Sequence, residues 1–157
     1  MAIRKIRIDG DPILRKISKP VKELNDKIYE LIDDMVETMF HEQGVGIAAV
    51  QVGVLRRIIV IDPEPENEDG DIMVLINPEI VESSGEEEGL EGCLSIPGRR
   101  GIVPRPTYVK VKYVNEDGEN VEFEARDFVA RELCHEIDHI DGILYKDKML
   151  SLIHISE

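Results

Sequence analysis

The chain has 157 residues, 42% hydrophobic and 33% charged, which is enough for one domain with its own core and gives no apolar run of membrane-spanning length. Its formal net charge of −14 argues against a nucleic-acid backbone as partner, since phosphate binding needs clustered cations. The opening "MAIRKIRIDGDP" has basic residues but no apolar h-region, so a cytoplasmic protein without a secretory leader or membrane contact is expected, and a monomer is expected as well.

Residues 24 to 40 place Leu24, Ile28, Leu31, Ile32, Met35, Val36, Met39 and Phe40 on one helical stripe, which predicts an amphipathic helix ending near Gly44. "RRIIVID" and "DIMVLINP" are short β-branched runs ending near prolines and read as strands. The acidic runs "DPEPENEDGD" and "SSGEEEG" read as solvated loops. "TYVKVKYV" and "VEFEAR" alternate about "NEDGEN", whose Asp117-Gly118 pair favours a hairpin turn. Residues 127 to 140, "DFVARELCHEIDHI", read as a second helix, with Asp127 as N-cap or first-turn acid. Strands in the middle with helices at either end predict an α+β fold: one domain, 1–157, with antiparallel strands around a C-terminal helix and an N-terminal amphipathic helix. The last ten or so residues, "KMLSLIHISE", read as a tail.

The second helix holds two of the four histidines, His135 and His139, four positions apart and therefore on one face. Such a pair can direct two imidazole nitrogens at one ion, while Glu136, a hundred degrees round the helix, reaches the rim without coordinating. An exposed helix can carry the same five residues with no ion at all. A catalytic metal needs a third ligand and an open position. His154 and Glu157 lie in the last few residues, whereas Cys93 sits in "EGCLSIPG" between backbone-restricting Gly92 and Pro97 and is the better candidate. Cys134, next to His135, points away from the histidine pair and reads as a packing thiol.

Three segments stand in order: "GVGIAAVQ" at 44–51, "EGCLS" at 91–95 and "HEIDH" at 135–139, with "GDPILR" before and "GILY" after them. Together they resemble the peptide deformylase family, from about Ile6 to Lys146. The resemblance implies Cys93, His135 and His139 as ligands of one divalent ion, natively ferrous iron, with zinc, nickel or cobalt able to replace it. It implies Glu136 as general base and then acid. Gln51 and the backbone N–H of Leu94 would bind the developing oxyanion, and Gly46 would hydrogen-bond an extended peptide. The implied reaction is hydrolysis of the formyl group from N-formylmethionyl nascent peptides, a ribosome-associated substrate. Ile47, Gly89 and Arg100 join Gly46 as expected substrate contacts, with Phe128 and Leu133 as further walls of an apolar pocket. Either Glu91 or Asp138 is expected to accept the second N–H of a ligand imidazole, and Arg100 and Arg105 to pair with those acids, hold substrate carbonyls or simply lie on the surface.

The sequence departs from the family's pattern at Val50, where proline is common, and at Cys134, where glutamine is common. Many relatives continue into a further C-terminal helix where this sequence reads "KDKMLSLIHISE", and those last residues read as a short tail, a truncation or a scar. Two other readings remain at this stage: a zinc endopeptidase using the H-E-x-x-H pattern alone, and a module that binds peptide N-termini without turnover. The first is separated by the role of Cys93, the second by the presence of Glu136 and Gln51.

Overall fold

Every residue of the run Ile58–Ile61 is buried, and alternate side chains enter two different cores. Ile59 and Ile61 face one, Ile58 and Val60 the other, as the two-residue period of a strand requires. The computed structural model describes residues 2–154. It begins with a 3-10 turn at Pro12–Arg15 and helix α1, Asp26–His41, and continues with strands β1 (Gly46–Ala48), β2 (Ile58–Ile61), β3 (Met73–Ser84), β4 (Glu87–Cys93), β5 (Ile96–Arg105), β6 (Tyr108–Val114) and β7 (Asn120–Arg126). Helix α2, Asp127–Ile140, and strand β8, Ser151–His154, follow. All strand pairs are antiparallel, in a five-stranded sheet ordered β1-β2-β3-β6-β7 and a three-stranded sheet ordered β4-β5-β8. The α+β expectation holds.

The two helices cover opposite faces of the larger sheet. Ile28, Leu31, Ile32, Met35 and Met39 of α1 pack with Ile47, Ile58, Val60 and Ile76. Ala130, Leu133, Cys134, Ile137 and Ile140 of α2 pack with Ile59, Ile61, Val109 and Val111. Each fully buried Ile or Leu contributes about 1.5–3 kcal/mol relative to exposure, so these stripes fix where α2 lies. Its polar stripe then faces away from the large sheet.

Asn25 caps α1 by accepting from the Ile28 N–H at 3.0 Å. The helix stops where expected, but Gln43, at φ 58°, takes the left-handed position rather than Gly44. A Cβ at Gly44 would lie 2.9 Å from Leu94 Cδ1, so a side chain there would push the Leu94 side chain aside. Asp127 is the first-turn acid of α2, with Arg126 at the cap position. The β6–β7 hairpin turns through Gly118 at φ 80°, and the Asn115 side chain accepts from the N–H groups of Asp117 and Glu119.

Three expectations need correction. The acidic run at 83–89 is no loop, because Ser83 and Ser84 end β3 and Glu87–Gly89 begin β4. The run around Pro78 does not end there: β3 continues to Ser84 through a bulge between Ile76 and Glu79, where proline's missing N–H leaves no ladder bond unmade. Within the segment read as a tail, Ser151–His154 pair with Arg99–Ile102 as β8. Positions 155–157 lie outside the described residues.

Candidate active site

Helix α2 lies between the two sheets, and Arg131 fastens it to the smaller one. Its guanidinium donates to the Val103 and Glu87 carbonyls at 2.8 and 2.7 Å and to Glu91 Oε2 at 2.8 Å. One turn further on, His135 and His139 face the end of β4. Cys93, the last residue of β4, sits beside a register shift and puts its Sγ 3.1 Å from His139 Nε2. One donor atom each from Cys93, His135 and His139 lies within 4.8 Å of the others. Ligands about 2.0–2.3 Å from a tetrahedral ion are themselves about 3.3–3.6 Å apart. A thiolate and two imidazoles at this spacing fit a borderline divalent ion.

The support for these side chains is largely buried charge. His135 Nδ1–H donates to Glu91 Oε1 at 2.9 Å, which leaves Nε2 as the atom it could offer an ion. Arg105, itself buried, donates to both oxygens of the same carboxylate at 2.8 and 3.0 Å and to Asp138 Oδ2 at 2.6 Å. Glu91 is therefore the acceptor for His135, and Asp138 instead joins Arg105 and Lys148. Burial works to raise the Glu91 carboxyl, but hydrogen bonds from His135 and Arg105 hold it at about 2. Burial, followed by the neighbouring His135, pushes the His139 ring well below its ordinary value. That favours the neutral imidazole a metal ligand must be. His139 Nδ1 has no partner among the described residues.

Glu136 is buried, with its Oε1 also unpartnered, and burial lifts its carboxyl to about 7. The main chain of β1 runs against it so closely that a Cβ on Gly46 would stand 2.6 Å from Glu136 Oε2. Gln51 belongs to the 3-10 turn Ala49–Val52 that follows β1. Its Oε1 accepts from the Ala48 N–H at 2.9 Å, which turns Nε2 toward Ser95 Oγ at 3.1 Å and Cys93 Sγ at 3.5 Å. A side-chain amide donor is thus held at the metal-ligand cluster.

A cavity of about 550 Å³ opens over this cluster. Gly44, Val45 and Gly46 line one side, Leu90 to Leu94 another, and Phe128, Arg131, Glu132, His135 and Glu136 form the α2 wall. Arg100 also lines it. The other expected contacts lie elsewhere. The Ile47 side chain is buried in the α1-side core, which leaves only its backbone toward β1's free edge. Leu133 is in the α2-side core, and Gly89 packs beneath the Arg131 guanidinium. Cys134 is the expected packing thiol, pushed up to about 11 by burial. The sequence reading overlooked Arg131, Glu132 and Ser95. For Glu132 the signal was present, since Phe128, Glu132 and Glu136 repeat every four residues along one stripe of α2.

A cysteine and two histidines that could hold a metal ion, beside a buried carboxyl at the floor of a cleft between two sheet edges, are the arrangement of a metal-dependent hydrolase. The polypeptide deformylase model matches residues 3–153, and the chain belongs to that family, whose reaction is hydrolytic removal of the formyl group from the N-terminus of new polypeptides. A peptide deformylase of Agathobacter rectalis is 52% identical over 98% of this chain and 94% of its own length. One from Acetivibrio thermocellus is 54% identical over 100% of this chain and 89% of its own. Among solved structures, the peptide deformylase of Legionella pneumophila superposes with a TM-score of 0.89 at 45% identity, covering 95% of this chain and 86% of that one. That of Thermotoga maritima gives 0.88 at 40%, covering 95% and 99%.

Proposed function

We propose that Cys93, His135 and His139 hold one divalent ion, natively ferrous iron, and that Glu136 moves the proton as the formyl group leaves an N-formylmethionyl peptide. The observation that carries this reading is the convergence of the three ligand atoms beside the unpartnered Glu136 oxygen in one cavity. The donor set supports ferrous iron, since a thiolate with two imidazoles suits it, although zinc, nickel and cobalt accept the same ligands. When bound, such an ion supplies Lewis acidity and lowers the pKa of water toward about 7.

Glu136 then acts at both ends of the reaction. Its carboxylate takes a proton from the attacking water and returns it to the departing amine, and a group tuned near neutral pH suits both transfers. Negative charge growing on the formyl oxygen meets the Gln51 Nε2–H and the Leu94 backbone N–H. Neither donor has to ionise, and Gln51 is already fixed by Ala48. The substrate lies as an extra strand. β1 and β4 are each an edge of their sheet and both contribute to the cavity wall, so an extended peptide between them finds backbone partners, Gly46 among them. Arg100, at the same wall, is placed for the carbonyls of the following residues. Formylated N-termini arise at translation, so we assign action in the cytoplasm on chains leaving the ribosome. A single chain contributes every group named, in keeping with a monomer.

The test uses protein purified without oxygen and loaded with ferrous ion, its metal content measured, assayed on formyl-Met-Ala-Ser. Glu136→Ala is expected to keep the ion and lose turnover, and Cys93→Ala to lose the ion. Amine release at an undiminished rate by Glu136→Ala, or stoichiometric metal in Cys93→Ala, overturns the assignment.

A further inference from the structure

Glu132 is a second acid on the α2 wall of the cleft, and the chemistry just described gives it no part. It is 6% exposed, and both carboxyl oxygens are buried without a hydrogen-bond partner among the described residues. A polar group in that position is costly to stability unless something satisfies it. The buried Glu91 nearby is paired by contrast, taking bonds from His135, Arg105 and Arg131. Burial, reinforced by Glu136 and Asp62, lifts the Glu132 carboxyl to about 9, so at neutral pH it is a neutral donor as well as an acceptor.

Its height along the helix indicates what it meets. Phe128, Glu132 and Glu136 are successive residues of one stripe, separated by about 5–6 Å per step. If Glu136 serves the scissile amide, the α-carbon of the first substrate residue is one bond beyond the nitrogen it protonates. A side chain directed along the wall carries its third atom about 4 Å further, by ordinary bond lengths. That is one helical step, the level of Glu132, with the Phe128 ring beyond it. In a methionine the atom at that level is the thioether sulfur, a weak acceptor.

We infer that Glu132 is a specificity-determining residue of the cleft, hydrogen-bonding the thioether sulfur at the end of the substrate's first side chain. The inference rests on the proposed role of Glu136, which fixes the register of the peptide. It explains why a carboxyl stands in a wall where an apolar residue would pack at no cost. The bound side chain supplies the missing partner, and a purely hydrocarbon side chain leaves the carboxyl unsatisfied.

The probe is a pair of substrates, formyl-Met-Ala-Ser and formyl-norleucine-Ala-Ser, which differ in a sulfur against a methylene. The wild-type, metal-loaded enzyme is expected to prefer methionine in kcat/KM by about three- to tenfold, the worth of one modest hydrogen bond. Glu132→Leu is expected to bring that ratio close to one, chiefly by improving norleucine, with metal content unchanged and a thermal midpoint equal or higher. Glu132→Gln, which keeps a donor, is expected to retain part of the preference and serves alone if the leucine variant does not fold. An identical methionine-to-norleucine ratio in the wild type and the variants overturns the inference. Failure of the wild type to hydrolyse either formyl peptide instead overturns the function proposed above, so the two failures are distinguishable.

Discussion

His135 Nδ1 stands 2.9 Å from Glu91 Oε1, and the same carboxylate is gripped by the guanidinium of Arg105. This places a carboxylate–imidazole pair behind one of the three candidate metal ligands, with the carboxylate in turn fixed by a buried cation. Replacing Glu91 by Gln is expected to weaken divalent metal binding by about 10- to 100-fold, because the ring loses both its orientation and its partner's charge. Competition against a chelator measures it. Glu91→Ala should also destabilise the fold by about 3–5 kcal/mol, since Arg105 is left buried with only Asp138. Unchanged metal affinity in both variants removes Glu91 from the site.

Gln51 is expected to matter to rate rather than to substrate binding. Its Nε2 is held at the ligand cluster before any substrate arrives. Gln51→Leu should lower kcat by about 100- to 1,000-fold, the usual cost of one oxyanion donor, with a much smaller change in KM. A rise in KM at constant kcat would make Gln51 a binding contact only.

Gly46 is a steric prediction. A Cβ there would lie 2.6 Å from Glu136 Oε2, so Gly46→Ala must displace either the carboxylate or β1. β1 is held by its pairing with β2, and the carboxylate is the end of a flexible side chain, so the carboxylate moves. A shift near 1 Å at a catalytic group costs on the order of 100-fold in rate. Steady-state kinetics beside a thermal melt checks this: kcat falls while the midpoint stays within a few degrees. Full activity in Gly46→Ala would show that Glu136 has room to spare.

Acid should release the N-terminal segment first. Asp34, buried on α1, accepts from the Ala2 N–H at 2.7 Å and from Arg4 Nε at 2.8 Å. Burial works to raise its carboxyl, but those two bonds outweigh it and the pKa is lowered from 3.8. The sign follows: a depressed folded pKa contributes stability that is present above about pH 4 and lost as pH falls through the folded value. Protection of residues 2–6 against hydrogen exchange, relative to the intrinsic rate at each pH, is therefore expected to fall below about pH 4 in the wild type and to be low at neutral pH in Asp34→Ala. Protection at 2–6 that is independent of both pH and Asp34 sinks the prediction.

Among the elements, α1, β2, the β6–β7 hairpin and α2 could be read directly from the chain. In each, burial follows a local period of 3.6 or 2, so side-chain pattern and geometry carry the same information. Cys93, His135 and His139, which the structure brings within 4.8 Å of one another, could likewise be picked from the chain as candidate ligands, with Glu136 and Gln51 as candidates beside them. Metal-ligand chemistry demands particular side chains at particular spacings, and a four-residue step on a helix is local geometry. Strands β4 and β5 were missed for the opposite reason. Their sequences, EEGLEGC and IPGRRGIVPR, are rich in charge, glycine and proline, and they are strands because they pair with each other and with β8.

What the sequence by itself determined is thus the family and the two amphipathic helices that flank the larger sheet, together with the side chains that are candidates for the chemistry. Only the tertiary structure decided which acid supports His135, that Arg105 is buried rather than exposed, that Ile47 and Leu133 belong to the cores, and that Glu132 stands unpartnered in the cleft wall. The physical reason is range. Periodicity and ligand spacing act within a turn or two of chain, whereas the pairing of Glu91 with His135, 44 residues away, exists only once β4 has been laid against α2.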